Sequence, residues 1–347
     1  MTRLWIVRAG AKGERELDSI SKGQLMPGFA DVGDLSGLAT RDEIAPKVRD
    51  AVPGAGKNTI RNFAAQLNQF VNTIAIGDLV VLPRRLTNGV AIGEVTGSYS
   101  FDPKVVSHHT RTVKWLNEAV PRDTFAQDLK HSFGAFMTIC EVKRNEALKR
   151  VHAVLATGAD PGPLLGMQGG IAPTVQAEVI EAEDAEIDVE DIARQQIVAL
   201  IKSAFAGHEL AYLVAEILAI EGYITKVSPP GPDGGVDILA AGGRIGLGED
   251  RICVQVKSGD GAANQDVVLK LMGSVQASKA KTGLLVSLGG VNSAAQKLID
   301  NEFFAIRLWQ MPELLNALFS SYGQLSDQTR AKLPLKQIWA PSALREA

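Results

Sequence analysis

Cysteine is scarce: Cys140 and Cys253 are the only two in 347 residues. They lie far apart, each inside an apolar run, which excludes a disulfide framework or a cysteine zinc cluster and predicts buried thiols in a reducing compartment. Long hydrophobic runs are missing too. A membrane span needs roughly 18 uninterrupted apolar residues, and the best candidate, residues 211–220, is cut by Glu216. The opening stretch MTRLWIVRAG is too short in apolar residues for a secretory h-region, so no export and no membrane partner are expected, and the cytoplasm is the expected location. No internal repeat is visible. Net charge is also small, −3, but that average hides a block. Residues 179–191, VIEAEDAEIDVED, hold seven acids and no base, leaving the rest of the chain at +4. A mildly basic body is compatible with phosphate contact.

What is present is enough for two folded units. The chain is 46% hydrophobic and 22% charged, as in ordinary globular proteins, and its length suits two cores rather than one. Residues 1–155 open with a strand at 4–7 and continue with a helix from 57 to about 74, where Ile60, Phe63, Ala64, Leu67, Phe70, Val71 and Ile74 recur at helical spacing. The runs IGDLVVLPR, GVAIGEVTGSYSF, TRTVKWL and GAFMTICEV follow as strands between turn residues. This predicts an α+β unit built on a small, partly closed barrel. Residues 156–190 are rich in Gly and Pro and then acidic, the composition of a linker. From 191 to 347, helices around 192–205 and 208–221 precede strands and helices in alternation, which predicts an α/β unit with helices flanking its sheet.

That second unit carries the chemistry. In ICVQVK, strand alternation puts Ile252, Val254 and Val256 on one face and Cys253, Gln255 and Lys257 on the other. If DGGVDILA pairs with it as a hairpin, with AAGGRIGLG as the loop, Asp237 reaches the same edge. A carboxylate, a carbonyl oxygen and an ammonium then converge. Hard divalent cations bind through one or two carboxylates with water and substrate phosphate, which makes Asp237 a candidate Mg²⁺ ligand, with Mn²⁺ able to substitute. Lys257 could orient an attacking water and offset charge developing on phosphate. Asp233 before two glycines is equally well explained as a turn residue, and Lys257 alone as an edge-strand charge. Asp237, between Val236 and Ile238 in an apolar run, has neither explanation, and a buried charge without a partner costs several kcal/mol.

A helix glutamate, then GxDGGVDI, then QVK resembles the Mrr-type branch of the PD-(D/E)xK nucleases, in which Gln commonly replaces the Asp or Glu of other members. HELAYLVAEILAIEGY is similar to the helix before the site, and KTGLLVSLGGVNSAAQKLI to a later strand and helix, so the resemblance covers roughly the last 150 residues. It implies a PD-(D/E)xK nuclease domain with a mixed sheet flanked by helices. It further implies a site of Asp237, Gln255 and Lys257, with Glu209 as a second metal ligand and Asp233 in support. Gln255 is included among the metal ligands. His208 stands where that family usually has an apolar or aromatic residue, and is expected to be an ordinary helix histidine.

In the first unit, LWIVRAG, PGF, GDLVVLP, AIGEVTGSYSFDP and TRTVKWL are similar in style to PUA-like or EVE-like barrels joined to such nucleases. The resemblance implies a sensor that extrudes a modified base and stacks it on aromatic walls, at a cost of a few kcal/mol recovered by stacking and hydrogen bonds. Candidate walls are Trp5, Phe29, Tyr99 and Trp115, with Phe101. Arg8, Arg84, Arg85, His109 and Arg111, with His108, are candidates for phosphate contact. Trp5 and Trp115, inside β-runs, are the readiest to be core residues, and Phe29 after Gly28 and Tyr99 near Gly97, beside turns, are the better wall candidates. PGAGKNT hints at a phosphate loop, yet the required spacing places Ala51 at the first glycine and Asn58 at the hydroxyl position, so a helix N-cap at Asn58 or Thr59 is the simpler reading.

Together these point to a metal-dependent DNA endonuclease of a modification-dependent, type IV-like restriction or anti-phage system. Its expected partner is double-stranded, modified DNA. A single site cuts one strand, so a homodimer or larger homo-oligomer is expected for duplex cleavage. The alternatives are an inert reader of modified nucleic acid and a nuclease triggered by a small molecule or partner protein.

Overall fold

The structure, a computed structural model, describes residues 2–10, 13–87, 89–134, 137–163, 189–229 and 235–339. Asp233 and most of the expected linker lie outside them. Two compact units separate, one of Met1–Arg84 with Gly89–Ile192, the other of Arg85–Asn88 with Ala193–Trp339.

The first unit contains β1 (Leu4–Val7), α1 (Glu16–Lys22), β2 (Gln24–Leu25), α2 (Arg41–Ala51), α3 (Lys57–Asn68), β3 (Leu79–Pro83), β4 (Gly89–Phe101), β5 (His109–Pro121), α4 (Gln127–Phe133), β6 (Ile139–Glu141) and α5 (Ala147–Thr157). Its sheet runs β2-β5-β4-β3-β1-β6, with β1 parallel to β3 and antiparallel to β6. Alternation along β1 shows why this is an open sheet rather than the expected partly closed barrel. Trp5 and Val7 pack with Ile44, Val48, Phe63 and Leu67 of α2 and α3. Leu4 and Ile6 pack on the opposite face with Leu129, Phe133, Val151 and Val154 of α4 and α5. A strand apolar on both faces belongs to a sheet covered on both sides. Among the described residues the end strands β2 and β6 do not pair with each other. The helix predicted from 57 begins at Lys57 with Gly56 as N-cap, not Asn58 or Thr59, and ends in a π-helical turn, Gln69–Thr73.

The second unit contains α6 (Val189–Ala204), α7 (Glu209–Ile220), β7 (Ile224–Val227), β8 (Ile238–Ala241), β9 (Arg251–Lys257), α8 (Gln265–Ala277), β10 (Thr282–Ser287), α9 (Ser293–Asn301), β11 (Ile306–Trp309), α10 (Met311–Ser321) and α11 (Asp327–Lys332). Its sheet runs β11-β10-β9-β8-β7. β7, β8 and β9 pair antiparallel and β9, β10 and β11 parallel, which makes it the expected mixed sheet. One face packs on α6, α7 and α10 through Ile238, Ala240, Val254, Leu284 and Val286. The other packs on α8 and α9 through Cys253, Leu285 and Ile306. Among the described residues no single helix is long and apolar enough to cross a membrane. The glutamate that interrupts the apolar run of α7 has a local reason: Glu216 accepts from the backbone N of Ser326 and the hydroxyl of Thr329, both at 2.5 Å, holding the start of α11.

Candidate active site

The two predicted strands do pair antiparallel, with Ile238 opposite Val254 and Leu239 opposite Cys253. Asp237 therefore stands at the edge where β9 ends, not in mid-strand: β8 starts one residue later. Hydrogen bonds to both neighbouring strands hold it. Its N–H donates to Val254 O at 2.9 Å and its carbonyl accepts from Ser228 N at 2.8 Å. Its carboxylate Oδ2 accepts from Val256 N at 2.7 Å. The side chain thus takes the place of a ladder carbonyl and fixes the carboxylate against the backbone of β9 at Val256.

The faces of β9 divide as alternation requires. Ile252, Val254 and Val256 belong to one core and Cys253 to the other, so Gln255 and Lys257 share the Cys253 face. The Asp237 charge is felt on that face: burial pushes the Cys253 thiol up, a hydrogen bond with Ser278 pulls it down, and Asp237 raises it further. Gln255 is 4% exposed, and its Oε1 has no hydrogen-bond partner among the described residues. A buried acceptor left unsatisfied costs about 1–3 kcal/mol, so its retention at this edge needs a reason. Gly235, at φ +87°, leaves room for that side chain, since a Cβ there would sit 3.2 Å from Gln255 Nε2. Lys257 is exposed at the end of β9, paired with Ser287.

Glu209 is the first residue of α7 and is bound by Lys332 Nζ of α11 at 2.8 Å, with both side chains partly exposed. α7 packs on β7, to which a short turn joins it. His208 precedes α7 with its ring edge-on to Tyr212, and makes no side-chain cap bond. Among the described residues no three His, Cys, Asp or Glu side chains group as a metal site. Of the expected oxygen-bearing residues, Asp237 and Gln255 stand at neighbouring positions where β8 and β9 pair.

The candidates in the first unit fare differently. Trp5 is fully buried, its indole N–H donating to Asp78 Oδ2 at 2.8 Å. Phe29 is 6% exposed and packs edge-on against Phe63, despite φ +65°, a left-handed backbone that is strained for an aromatic residue. Both are core residues, not walls of an open cage. Trp115 is half-buried with its indole N–H on Ser19 O at 3.1 Å. Phe101 is half-buried against the rings of His108 and His109. Tyr99 is half-buried and bonded to the His109 ring at 2.8 Å, while Leu35 N donates to its hydroxyl at 3.3 Å. Burial pushes the phenol up to about 12.

Of the expected phosphate contacts, Arg8, Arg84, His108, His109 and Arg111 are bonded within the fold. Arg111, 4% exposed, donates to Phe70 O, Val71 O and Gly97 O, closing the carbonyl end of α3 and its π turn. Arg84 is buried beside Glu16, 3.8 Å away, and donates to Glu118 O; Arg8 is buried and donates to Phe133 O. His109 is fully buried, with Nε2 on Val32 O at 2.9 Å, and desolvation lowers its pKa. His108 bonds Ala30 O. Arg85 is half-buried. Guanidinium and imidazole groups spent on backbone carbonyls inside the fold are not offered to a nucleic acid backbone. The sequence signal was the residue type alone, which does not distinguish a carbonyl partner from a phosphate.

Residues 202–318 match Mrr_cat, described as a restriction endonuclease. Residues 5–142 match a family described only as a domain of unknown function, DUF8426. Three solved structures are similar: a protein of unknown function, AF1548 (15% identity, TM-score 0.27, 36% of this chain and 77% of that one), the DNA modification-dependent restriction endonuclease AspBHI (12%, 0.34, 87% and 76%), and the MspJI restriction endonuclease in complex with a 27-mer oligonucleotide (14%, 0.31, 95% and 71%). TM-scores this low carry no structural argument. No curated protein matches.

Proposed function

A restriction endonuclease domain of the Mrr_cat family spans residues 202–318 of the chain, and we propose that it hydrolyses DNA phosphodiester bonds at the edge formed by Asp237, Gln255 and Lys257. The observation that supports this is the fixed Asp237 carboxylate, bonded at 2.7 Å to the N of Val256, the residue between Gln255 and Lys257 in β9. The donor set suits a hard divalent cation, which takes oxygen ligands and tolerates water and substrate phosphate in the remaining positions. Gln255 Oε1, buried and without a donor among the described residues, would supply the neutral oxygen such a site uses. Asp237 and Gln255 would hold Mg²⁺ or Mn²⁺, with Glu209 as a further ligand once released from Lys332. When bound, the ion would neutralise charge at the scissile phosphate.

The chain's own groups account for the rest. Asp237 presents one oriented carboxylate. Lys257, exposed on the same face, places an ammonium where it can orient water and offset charge gathering on the phosphate oxygens as the bond to the leaving oxygen breaks. Asp233 lies outside the described residues and is proposed as support on resemblance alone. Cutting both strands of a duplex needs two such edges, so a symmetric homodimer or larger assembly is part of the proposal.

For the first unit we infer recognition of the DNA, with a modified base as trigger. The support is organisational: a separate compact unit with its own two-sided core beside the nuclease domain. Tyr99 and Trp115 remain as partly exposed aromatic candidates. A PUA-like identity for this open sheet is a proposal of the same standing. A catalytically inert reader is the second reading, favoured by the Glu209–Lys332 ion pair, which engages the expected second carboxylate ligand with a lysine of α11.

Cleavage of matched plasmids carrying no modification, methylated adenine, methylated cytosine or hydroxymethylated cytosine, with Mg²⁺ or Mn²⁺, separates these. Cutting of a modified plasmid, lost in Asp237→Ala, supports the enzyme. Binding without cutting of any plasmid supports the reader.

A further inference from the structure

Ser228 is the first residue beyond β7, outside the sequence pattern that points to the site, yet two of its groups reach the segment that carries Asp237. Its hydroxyl donates to Val236 O at 2.6 Å and its N–H to Asp237 O at 2.8 Å. On the other side, Asp237 N donates to Val254 O at 2.9 Å and Asp237 Oδ2 accepts from Val256 N at 2.7 Å. The turn before β8 is therefore pinned from both neighbouring strands. Gly235 sits in a left-handed conformation two residues earlier. A glycine turn has more backbone freedom than any other, so the carboxylate at its end is only as well placed as the bonds that hold the turn.

We propose that Ser228 is a positioning residue for Asp237: its hydroxyl, by fixing the Val236 carbonyl, sets the direction in which the Asp237 carboxylate leaves the chain. The inference rests on the reading of Asp237 as a metal ligand for its functional consequence, but its geometric core does not. The hydroxyl locks the Val236–Asp237 peptide unit, and that unit decides whether Oδ2 meets Val256 N. Groups that orient a ligand commonly matter about as much as 10–100-fold in metal affinity when removed.

The experiment uses the full chain and three variants: Ser228→Ala, Ser228→Thr and Asp237→Asn. Hydrogen exchange of the Val256 amide without metal reads the Asp237 bond directly. Mn²⁺ titration followed by paramagnetic resonance reads ion binding without any need for cleavage. Ser228→Ala is expected to exchange Val256 about tenfold faster and to bind Mn²⁺ about tenfold more weakly, with the thermal midpoint within a few degrees of wild type. Ser228→Thr, which keeps the hydroxyl, is expected to restore both. Unchanged Val256 exchange in Ser228→Ala overturns the positioning role. So does a loss that Thr fails to rescue, which would mark a general packing effect. If Val256 responds as expected but neither wild type nor Asp237→Asn binds Mn²⁺, the positioning stands and the metal-ligand reading of Asp237 falls.

Discussion

Replacing Gln255 by Glu tests the electrostatics of the site more sharply than deleting a group. Gln255 is 4% exposed and its Oε1 already lacks a donor among the described residues, while the Asp237 carboxylate is anchored to Val256 N. A glutamate there adds a second negative charge at a buried position with no donor for it among the described residues. The effective penalty for burying such an ion is several kcal/mol, taken here as about 3 kcal/mol. For a unit of this size each kcal/mol moves the thermal midpoint by about 2–4 °C, so the variant should melt roughly 6–12 °C below wild type without divalent ions. If the two oxygens form a cation site, the added charge strengthens it. An ion at about 100 times its dissociation constant returns about 2.7 kcal/mol, most of the loss. Scanning calorimetry with and without excess Mg²⁺ or Mn²⁺ measures both. A variant as stable as wild type without metal, or one whose response to metal matches wild type, would refute the reasoning.

Two further predictions concern the first unit. Arg150 is 3% exposed and forks to Asp128 and Asp160, at 2.6 Å to each. The Arg150 hydrogen bonds hold the Asp128 carboxyl below its usual range. Burial pushes Asp160 up, but bonds from Arg150, Ala126 N and Gly162 N outweigh it and leave Asp160 lowered too. Both carboxyls are thus depressed in the folded state, so their contribution is complete above the unfolded value of about 3.9 and is lost as pH falls through the lower folded values. Arg150→Met strands two carboxylates and should cost about 3–5 kcal/mol at neutral pH, with the deficit shrinking in urea titrations run below about pH 3; a pH-independent deficit would contradict this. His109, whose pKa is lowered chiefly by desolvation, stabilises the fold while neutral. That contribution is present above about pH 6.5 and fades as pH falls toward its folded value. His109→Gln should flatten the stability profile between about pH 7 and pH 5, and an unchanged slope by urea titration would count against it.

The nuclease edge was legible because its signals are local and periodic. Alternation alone assigned Gln255 and Lys257 to one face, and an aspartate in an apolar run marked Asp237. Its placement before β8 rather than inside it escaped notice because the bond from Val256 N to its side chain mimics a ladder bond, which no residue pattern encodes. The first unit was less legible for the opposite reason. Trp5 on Asp78, Arg111 on the Phe70 carbonyl and Arg150 on Asp128 are pairings across 73, 41 and 22 residues of chain, invisible to spacing arguments. The open sheet was missed because β1 reads LWIV, apolar at every position, a run equally at home in a barrel wall or between two helical layers. Glu216 was seen as an interruption, and its role needed α11, which no pattern predicted.

The most direct measurement is paired cleavage and binding by wild type, Lys257→Ala and Asp237→Ala on the same DNA with Mg²⁺. The account predicts that both variants keep wild-type affinity for the DNA while cleavage is lost. Cleavage by either variant at the wild-type rate would contradict the assignment of the reaction to this edge.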